Sequence, residues 1–214
     1  MNKKLLWGVL AVVGVALVLA IAISVAGEQE VDESLAFGEV TVEGTSLAPF
    51  ADAASDPAAG LPAPALTGVD WNGASTAIGA DGRPKVIVFL AHWCPHCQDE
   101  VPELQAWVDS TGGDPRVDLY AVTTSTSRVR PNFPPGTWLE SEGWTSPTIL
   151  DDEAQTAGRA FGVTAFPFWV IVDEAGDVVG RLSGRVPAEA IPGLFEIAAT
   201  GGSAVEGGPS SENE

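Results

Sequence analysis

Residues 91–98 read Ala91-His92-Trp93-Cys94-Pro95-His96-Cys97-Gln98, and they hold both cysteines and both histidines of the 214-residue chain. Four readings compete for such a cluster: a metal clasp, a haem attachment site, a structural staple and a catalytic dithiol. A c-type haem needs Cys-x-x-Cys-His, and Gln98 stands at the histidine position. A structural zinc site takes four ligands, usually as two separated pairs. The chain has no second Cys or His pair, so every ligand would have to come from this one stretch. A staple between positions i and i+3 closes a tiny loop and removes little unfolded-state entropy. A catalytic dithiol is the leading reading. The alternative is a copper(I) chaperone using Cys94, Cys97 and a histidine, since thiolate and imidazole both suit that ion.

The flanking sequence supports the dithiol. Val86-Ile87-Val88-Phe89-Leu90 is a continuous apolar run, as expected of a strand buried on both faces. Gln98 to Ser110 carries Val101, Leu104, Trp107 and Val108 at helical spacing and stops before Gly112-Gly113-Asp114-Pro115. Cys94 therefore falls at a helix N-terminus, where unpaired N–H groups and the positive end of the dipole stabilise a thiolate. The thiolate is the attacking species in disulfide exchange. Cys94 is read as the nucleophile, and Cys97, one turn deeper, as the residue that resolves the mixed disulfide. Pro95 suits the first helical turn, where its missing N–H costs nothing. His96 can donate to, or place positive charge beside, the Cys94 sulfur.

Further along, Val117 to Val122 reads as a second strand, and residues 125–147, with Pro131, Pro134, Pro135, Pro147, Gly136 and Gly143, as an irregular insertion. Asp151 to Phe161 reads as a helix, Phe168 to Val172 and Val178 to Leu182 as a strand hairpin, and Pro187 to Thr200 as a closing helix. This order gives an α/β domain with a mixed sheet and helices on its faces.

Leu5 to Ala26 is 22 residues without a charge. That length fits a transmembrane helix better than a cleavable signal, for which Ser24-Val25-Ala26 offers the small residues. Lys3 and Lys4 precede it and Glu28, Glu30, Asp32 and Glu33 follow, which orients residues 28–214 away from the cytoplasm. The expected organisation is a cytoplasmic stub and anchor over 1–27, a flexible acidic linker over 28–59, one domain over 60–200 and a disordered acidic tail over 201–214. Removing Lys3 and Lys4 from the 10 basic residues leaves 8 against 29 acidic ones, a charge of −21 on the exported part. That sign excludes nucleic-acid binding and suits solubility outside the cell, where disulfides persist.

Ala91-His92-Trp93-Cys94-Pro95-His96-Cys97 followed by Pro102 resembles the active site of the thioredoxin fold. The segment Val163-Thr164-Ala165-Phe166-Pro167-Phe168-Trp169 resembles that fold's cis-proline segment, with Pro167 against the sulfurs. Gly60 to Gly73, the insertion, and Pro147 to Glu153 are similar to the membrane-anchored, extracytoplasmic TlpA/ResA-like branch. The resemblance covers about residues 60–200. It implies a thioredoxin fold, a redox-active Cys94–Cys97 disulfide with no cofactor, thiol–disulfide exchange with exported proteins such as apocytochromes, and a membrane partner that recycles the dithiol. It also implies that Trp93 shields the sulfurs. Two departures bear on direction. Val88 stands where many thioredoxins carry a buried aspartate, and Pro95-His96 resembles the DsbA-type oxidants, so the branch suggests a reductant and the dipeptide an oxidant. Phe166 either excludes polar substrates or packs on Trp93. His92 reads as an exposed residue at a strand end, with a part in binding beside the dithiol as the alternative. Arg128 and Arg130 read as a solvated loop, with contact to an acidic partner as the alternative. Trp71, Trp107, Trp138, Trp144 and Trp169 read as packing residues.

Overall fold

A computed structural model describes residues 36–202. The anchor expected within residues 5–26, residues 28–35 of the linker and the tail from 203 onward lie outside the described residues. Among the described residues no helix is long and apolar enough to cross a membrane.

The described residues form eight strands: β1 (Thr41–Glu43), β2 (Ala65–Val69), β3 (Ser75–Ile78), β4 (Lys85–Leu90), β5 (Asp118–Thr123), β6 (Thr148–Leu150), β7 (Phe168–Val172) and β8 (Val178–Ser183). Among the described residues four α-helices join them: α1 (Pro95–Thr111), α2 (Pro135–Ser141), α3 (Thr156–Ala160) and α4 (Ile191–Thr200). The main sheet runs β6-β5-β4-β7-β8, and a smaller antiparallel sheet runs β1-β2-β3. β4 pairs in parallel with β5 and antiparallel with β7, so the sheet is mixed about its centre.

The period-2 alternation of strand side chains divides β4 between two cores. Val86, Val88 and Leu90 join Trp169, Ile171, the α1 residues Val101 and Leu104, and the α4 residues Leu194 and Phe195. Ile87 and Phe89 join Phe168, Val170, Val172 and the α3 residues Ala157 and Ala160. The five apolar residues of β4 are buried, as the continuous run demands, and Lys85 at its start is buried with its ammonium donating to Asp81 and to Arg83 O. Both cysteines belong to the first core.

The main elements fall close to their expected places, with three differences. The helix expected over Asp151–Phe161 shrinks to α3. Asp151 and Asp152 take up the amides that an earlier helix start would use. The Asp151 carboxylate accepts from the N–H groups of Asp152, Ala157 and Gly158 and from Thr124 Oγ1, and that of Asp152 accepts from Thr156 N. The closing helix begins at Ile191, after a 3₁₀ turn over Ala188–Ala190.

The third difference is the linker, whose residues 36–59 are built into the fold rather than loose. β1 pairs with β2, Leu47 N donates to Ala160 O (2.8 Å) and Phe50 N to Gly162 O (2.9 Å). Gly162, at φ +67°, lies so close to this segment that an added Cβ would sit 2.3 Å from Ala48 O. Arg181, 1 % exposed on β8, donates through Nε to Asp56 Oδ2 (2.9 Å) and through Nη1 to Ala48 O and Phe161 O. The guanidinium beside Asp56 holds that carboxyl below its usual range, against the opposing effect of burial. A buried arginine needs such a complete set of partners, and the segment supplies them.

Candidate active site

The dithiol lies where β4 hands the chain to α1. Cys94 is the N-cap residue, extended at φ −79°, ψ 120°, and Pro95 opens the first turn. Its carbonyl accepts from the N–H groups of Cys97 (3.0 Å) and Gln98 (3.1 Å). At the other end Gly112 adopts the left-handed conformation that closes α1. Pro102 sits inside α1, where it can donate no hydrogen bond to the carbonyl of Gln98.

Around Cys94 the site has a mouth. Cys94 Sγ lies 3.6 Å from Phe166 O, on the segment whose Phe166–Pro167 peptide is cis. The Trp93 and Phe166 rings meet edge to face, with centroids 6.0 Å apart. Trp93 Nε1 donates to Ser125 O (2.8 Å), and the Arg130 guanidinium lies 4.8 Å above the Trp93 ring. Pro95 and His96 are exposed. Cys94, Trp93, Pro95, His96 and the Pro167 segment, all marked from sequence, thus come together on one rim.

Below it the site has a floor. Cys97 is 0 % exposed, among Val88, Val101, Trp138 and Trp169. Burial pushes its thiol well above the usual cysteine range. The Ala91 backbone partly offsets this, and the neighbouring charges of Cys94 and Glu100 reinforce it.

Glu100 escaped the sequence reading. It is one turn beyond Cys97 on the same helix face and 0 % exposed. Oε2 accepts from Val186 N (2.8 Å), whereas Oε1 is buried with no hydrogen-bond partner. Burial pushes the carboxyl up to about 7, against the lowering effects of the Val186 amide and Arg185. A carboxyl titrating near neutrality is suited to moving a proton. Val88 leaves the strand side of the dithiol without a carboxylate, and α1 supplies one instead. The signal was present: Glu100 interrupts the apolar face formed by Cys97, Val101 and Leu104.

His92 corrects the expectation of an exposed strand-end residue. It is 0 % exposed, with Nδ1 2.7 Å from Pro131 O and Nε2 3.1 Å from Ser127 N. A carbonyl only accepts and an amide only donates, so Nδ1 carries the proton and Nε2 is the acceptor. Burial lowers its pKa, partly offset by the Pro131 carbonyl. The His92 carbonyl accepts from Gln98 Nε2 (3.0 Å) and Asn132 Nδ2 (3.4 Å). His92 is therefore the latch that fastens the insertion beside the dithiol. Ser125 (φ 53°) and Asn132 (φ 61°), in sparsely populated backbone conformations, bracket the latched loop. Arg128 pairs with Glu153 and lies over Phe37, so it is not simply solvated. Trp138, Trp144 and Trp169 are buried, and Trp71 and Trp107 pack against the same core.

A reactive thiol on a helix N-terminus, a buried partner thiol one turn deeper and a proline-led strand against the first sulfur define a thioredoxin-fold thiol–disulfide oxidoreductase. The chain belongs to the Redoxin family, which matches residues 58–195. It is 23 % identical over 117 residues to sporulation thiol-disulfide oxidoreductase A of Bacillus subtilis (strain 168), covering 55 % of this chain and 69 % of that protein. Two solved structures share the fold. The thioredoxin domain of a Bacteroides vulgatus thiol-disulfide oxidoreductase superposes with a TM-score of 0.54 at 21 % identity, over 66 % of this chain and 99 % of that one. A thiol:disulfide interchange protein DsbE from Chlorobium tepidum gives 0.55 at 20 % identity, over 65 % and 96 %.

Proposed function

We propose that this chain reduces disulfides in exported proteins from a domain held outside the cytoplasmic membrane by residues 5–26, and that a membrane dithiol partner regenerates it. The observation that carries the reading is the placing of the two buried thiols, Cys94 (7 % exposed) at the rim against Phe166 O and Cys97 (0 %) beneath it with its proton held. Thiolate formed on both cysteines would stabilise the reduced state and make the disulfide a strong oxidant. Burial keeps Cys97 protonated, which leaves Cys94 alone to supply such stabilisation.

The chemistry balances as follows. The Cys94 thiolate attacks one sulfur of the substrate disulfide. The Cys94–substrate bond forms, the substrate S–S bond breaks, and the departing sulfur takes a proton from water. Cys97 then gives its proton to Glu100 and attacks Cys94 Sγ, and the second substrate sulfur leaves as a thiolate and takes up a proton from water as Glu100 returns its own to solvent. Two electrons and two protons pass to the substrate, and the chain is left with the Cys94–Cys97 disulfide. The partner dithiol reverses these steps, and no cofactor enters. Unfinished apocytochromes, whose haem-attachment cysteines must be reduced, are one substrate of the right chemistry.

The copper(I) alternative has less support. Both ring nitrogens of His92 are engaged by the insertion, and among the described residues no three His, Cys, Asp or Glu side chains converge on one point.

The test is the reduction potential of the full chain, followed by tryptophan fluorescence in a thiol–disulfide buffer. A value near or below that of thioredoxin, about −270 mV, is expected. One near that of DsbA, about −120 mV, would reassign the chain to disulfide formation.

A further inference from the structure

We infer that Arg130 sets the substrate preference of the site by selecting disulfides flanked by acidic residues. The inference rests on the reductase reading above and adds to it the chemistry of the substrate.

Arg130 is joined to the dithiol through a continuous set of contacts. Its guanidinium lies 4.8 Å over Trp93, the residue before Cys94. Trp93 meets Phe166, whose carbonyl is 3.6 Å from the Cys94 sulfur. The cation thus lies one aromatic ring away from the cis-proline segment beside Cys94.

The position is imposed by the loop. His92 holds Ser127 N on one side of Arg130 and Pro131 O on the other, and Trp93 holds Ser125 O. Arg130 N closes the tip by donating to Ser127 O (3.2 Å). Stacking on an indole retains a guanidinium without neutralising it, and Arg130 makes no ion pair with a described residue. By contrast Arg83, Arg116, Arg128, Arg181 and Arg185 are each bridged to a carboxylate, and Arg159 on α3 is the other arginine without an ion pair to a described residue. Val129 beside it is 93 % exposed. The loop tip thus presents an apolar side chain and an unneutralised cation at the rim, in a chain whose formal charge is −19. The surrounding acidity repels acidic partners, and Arg130 offers them local attraction where the sulfurs meet. Charges placed this way act chiefly on encounter rate and on discrimination between partners.

The test uses two peptide disulfides of identical length that differ only in carrying Glu or Lys beside the attacked cysteine. The reduced full chain is mixed with each at low salt, and the Glu-to-Lys rate ratio is taken within one preparation, so that any inactive fraction cancels. The variants are Arg130→Gln, Arg130→Glu and the control Arg116→Gln. The control removes the same charge beyond the far end of α1, roughly 25 Å from the dithiol for 17 residues at 1.5 Å each. The ratio is expected to fall about tenfold in R130Q, further in R130E, and less than about twofold in R116Q. In the unaltered chain, 0.5 M salt should remove most of the preference. A ratio in R130E equal to that of the unaltered chain would overturn the inference and leave the reductase reading intact. Failure of the reduced chain to act on either peptide would sink the reductase reading and the inference together.

Discussion

The mouth around Cys94 and the floor around Cys97 belong to one helix turn and are built from opposite materials. The mouth is made of loops: the insertion latched to His92, the Phe166–Pro167 segment and the exposed first turn of α1. The insertion is fastened through His92 and Trp93, although Thr126 Oγ1 within it is buried without a partner, and its surface is aromatic and cationic. The floor is made of regular elements, β4, β7 and the interior of α1, closed by Val186. It is mostly apolar, and its buried polar atoms without a partner are one Glu100 oxygen and the indole N–H groups of Trp138 and Trp169. Accessible chemistry is placed on loops held by a scaffold, whereas a proton to be released only at the right step is placed where burial disfavours its loss. The division between attacking and resolving thiol is thus written in the packing as well as in the order of the cysteines.

Replacing the cysteines has the largest expected effect. Cys94→Ser and Cys97→Ser should each lower turnover of a model protein disulfide by at least about a thousandfold, the scale for losing a nucleophile that acts as part of a unit. They should differ in what accumulates. C97S should trap a Cys94-linked mixed disulfide on a non-reducing gel, and C94S should trap none. Accumulation in C94S would erase the assigned roles.

Next is Glu100→Gln, which alters the floor alone. The folded value of about 7 lies above the ordinary 4.5, so between these pH values the native state holds a proton that the unfolded chain has lost. Stability therefore falls as pH rises through that window. E100Q should flatten the fall between pH 4.5 and 7.5 by about 2–3 kcal/mol, measured by urea unfolding. It should also slow release of the mixed disulfide and leave its formation unchanged. An unaltered pH slope would show that the buried carboxyl does not titrate there.

His92→Ala acts on the mouth. It strands Pro131 O and Ser127 N, a loss of about 2 kcal/mol, and should speed hydrogen exchange at the amides of residues 125–132 without exposing Cys97. Phe166→Ala is the mildest change. Trimming one ring at the rim should raise the alkylation rate of Cys94 by about threefold and leave that of Cys97 alone.

The floor was far more legible in sequence than the mouth. The β4 run, the Cys-Pro-His-Cys spacing, the α1 periodicity and the Gly112 stop are local signals and report local structure. Glu100 was legible in principle, as an acidic residue on an apolar helix face. The mouth depends on contacts with no local signature. The burial of His92 follows from Ser127 and Pro131, 35 and 39 positions later. Residues 36–59 looked like a tether because residues 28–59 are rich in Ala, Glu, Asp and Gly and show no sustained period. Their order comes from β2, from Ala160 and Gly162, and from Arg181, which meets Asp56 across 125 positions. The short α3 reflects competition between backbone and side-chain partners, since Asp151 and Asp152 can satisfy the same amides a longer helix would occupy.

The contrast between the two thiols is tested most directly by alkylating the reduced full chain with iodoacetamide under native conditions and following each cysteine by mass spectrometry from pH 6 to pH 9. Cys94 should react at least about a hundredfold faster than Cys97 throughout, with Cys97 protected until the chain unfolds. Comparable rates at the two positions, or a faster Cys97, would contradict the account.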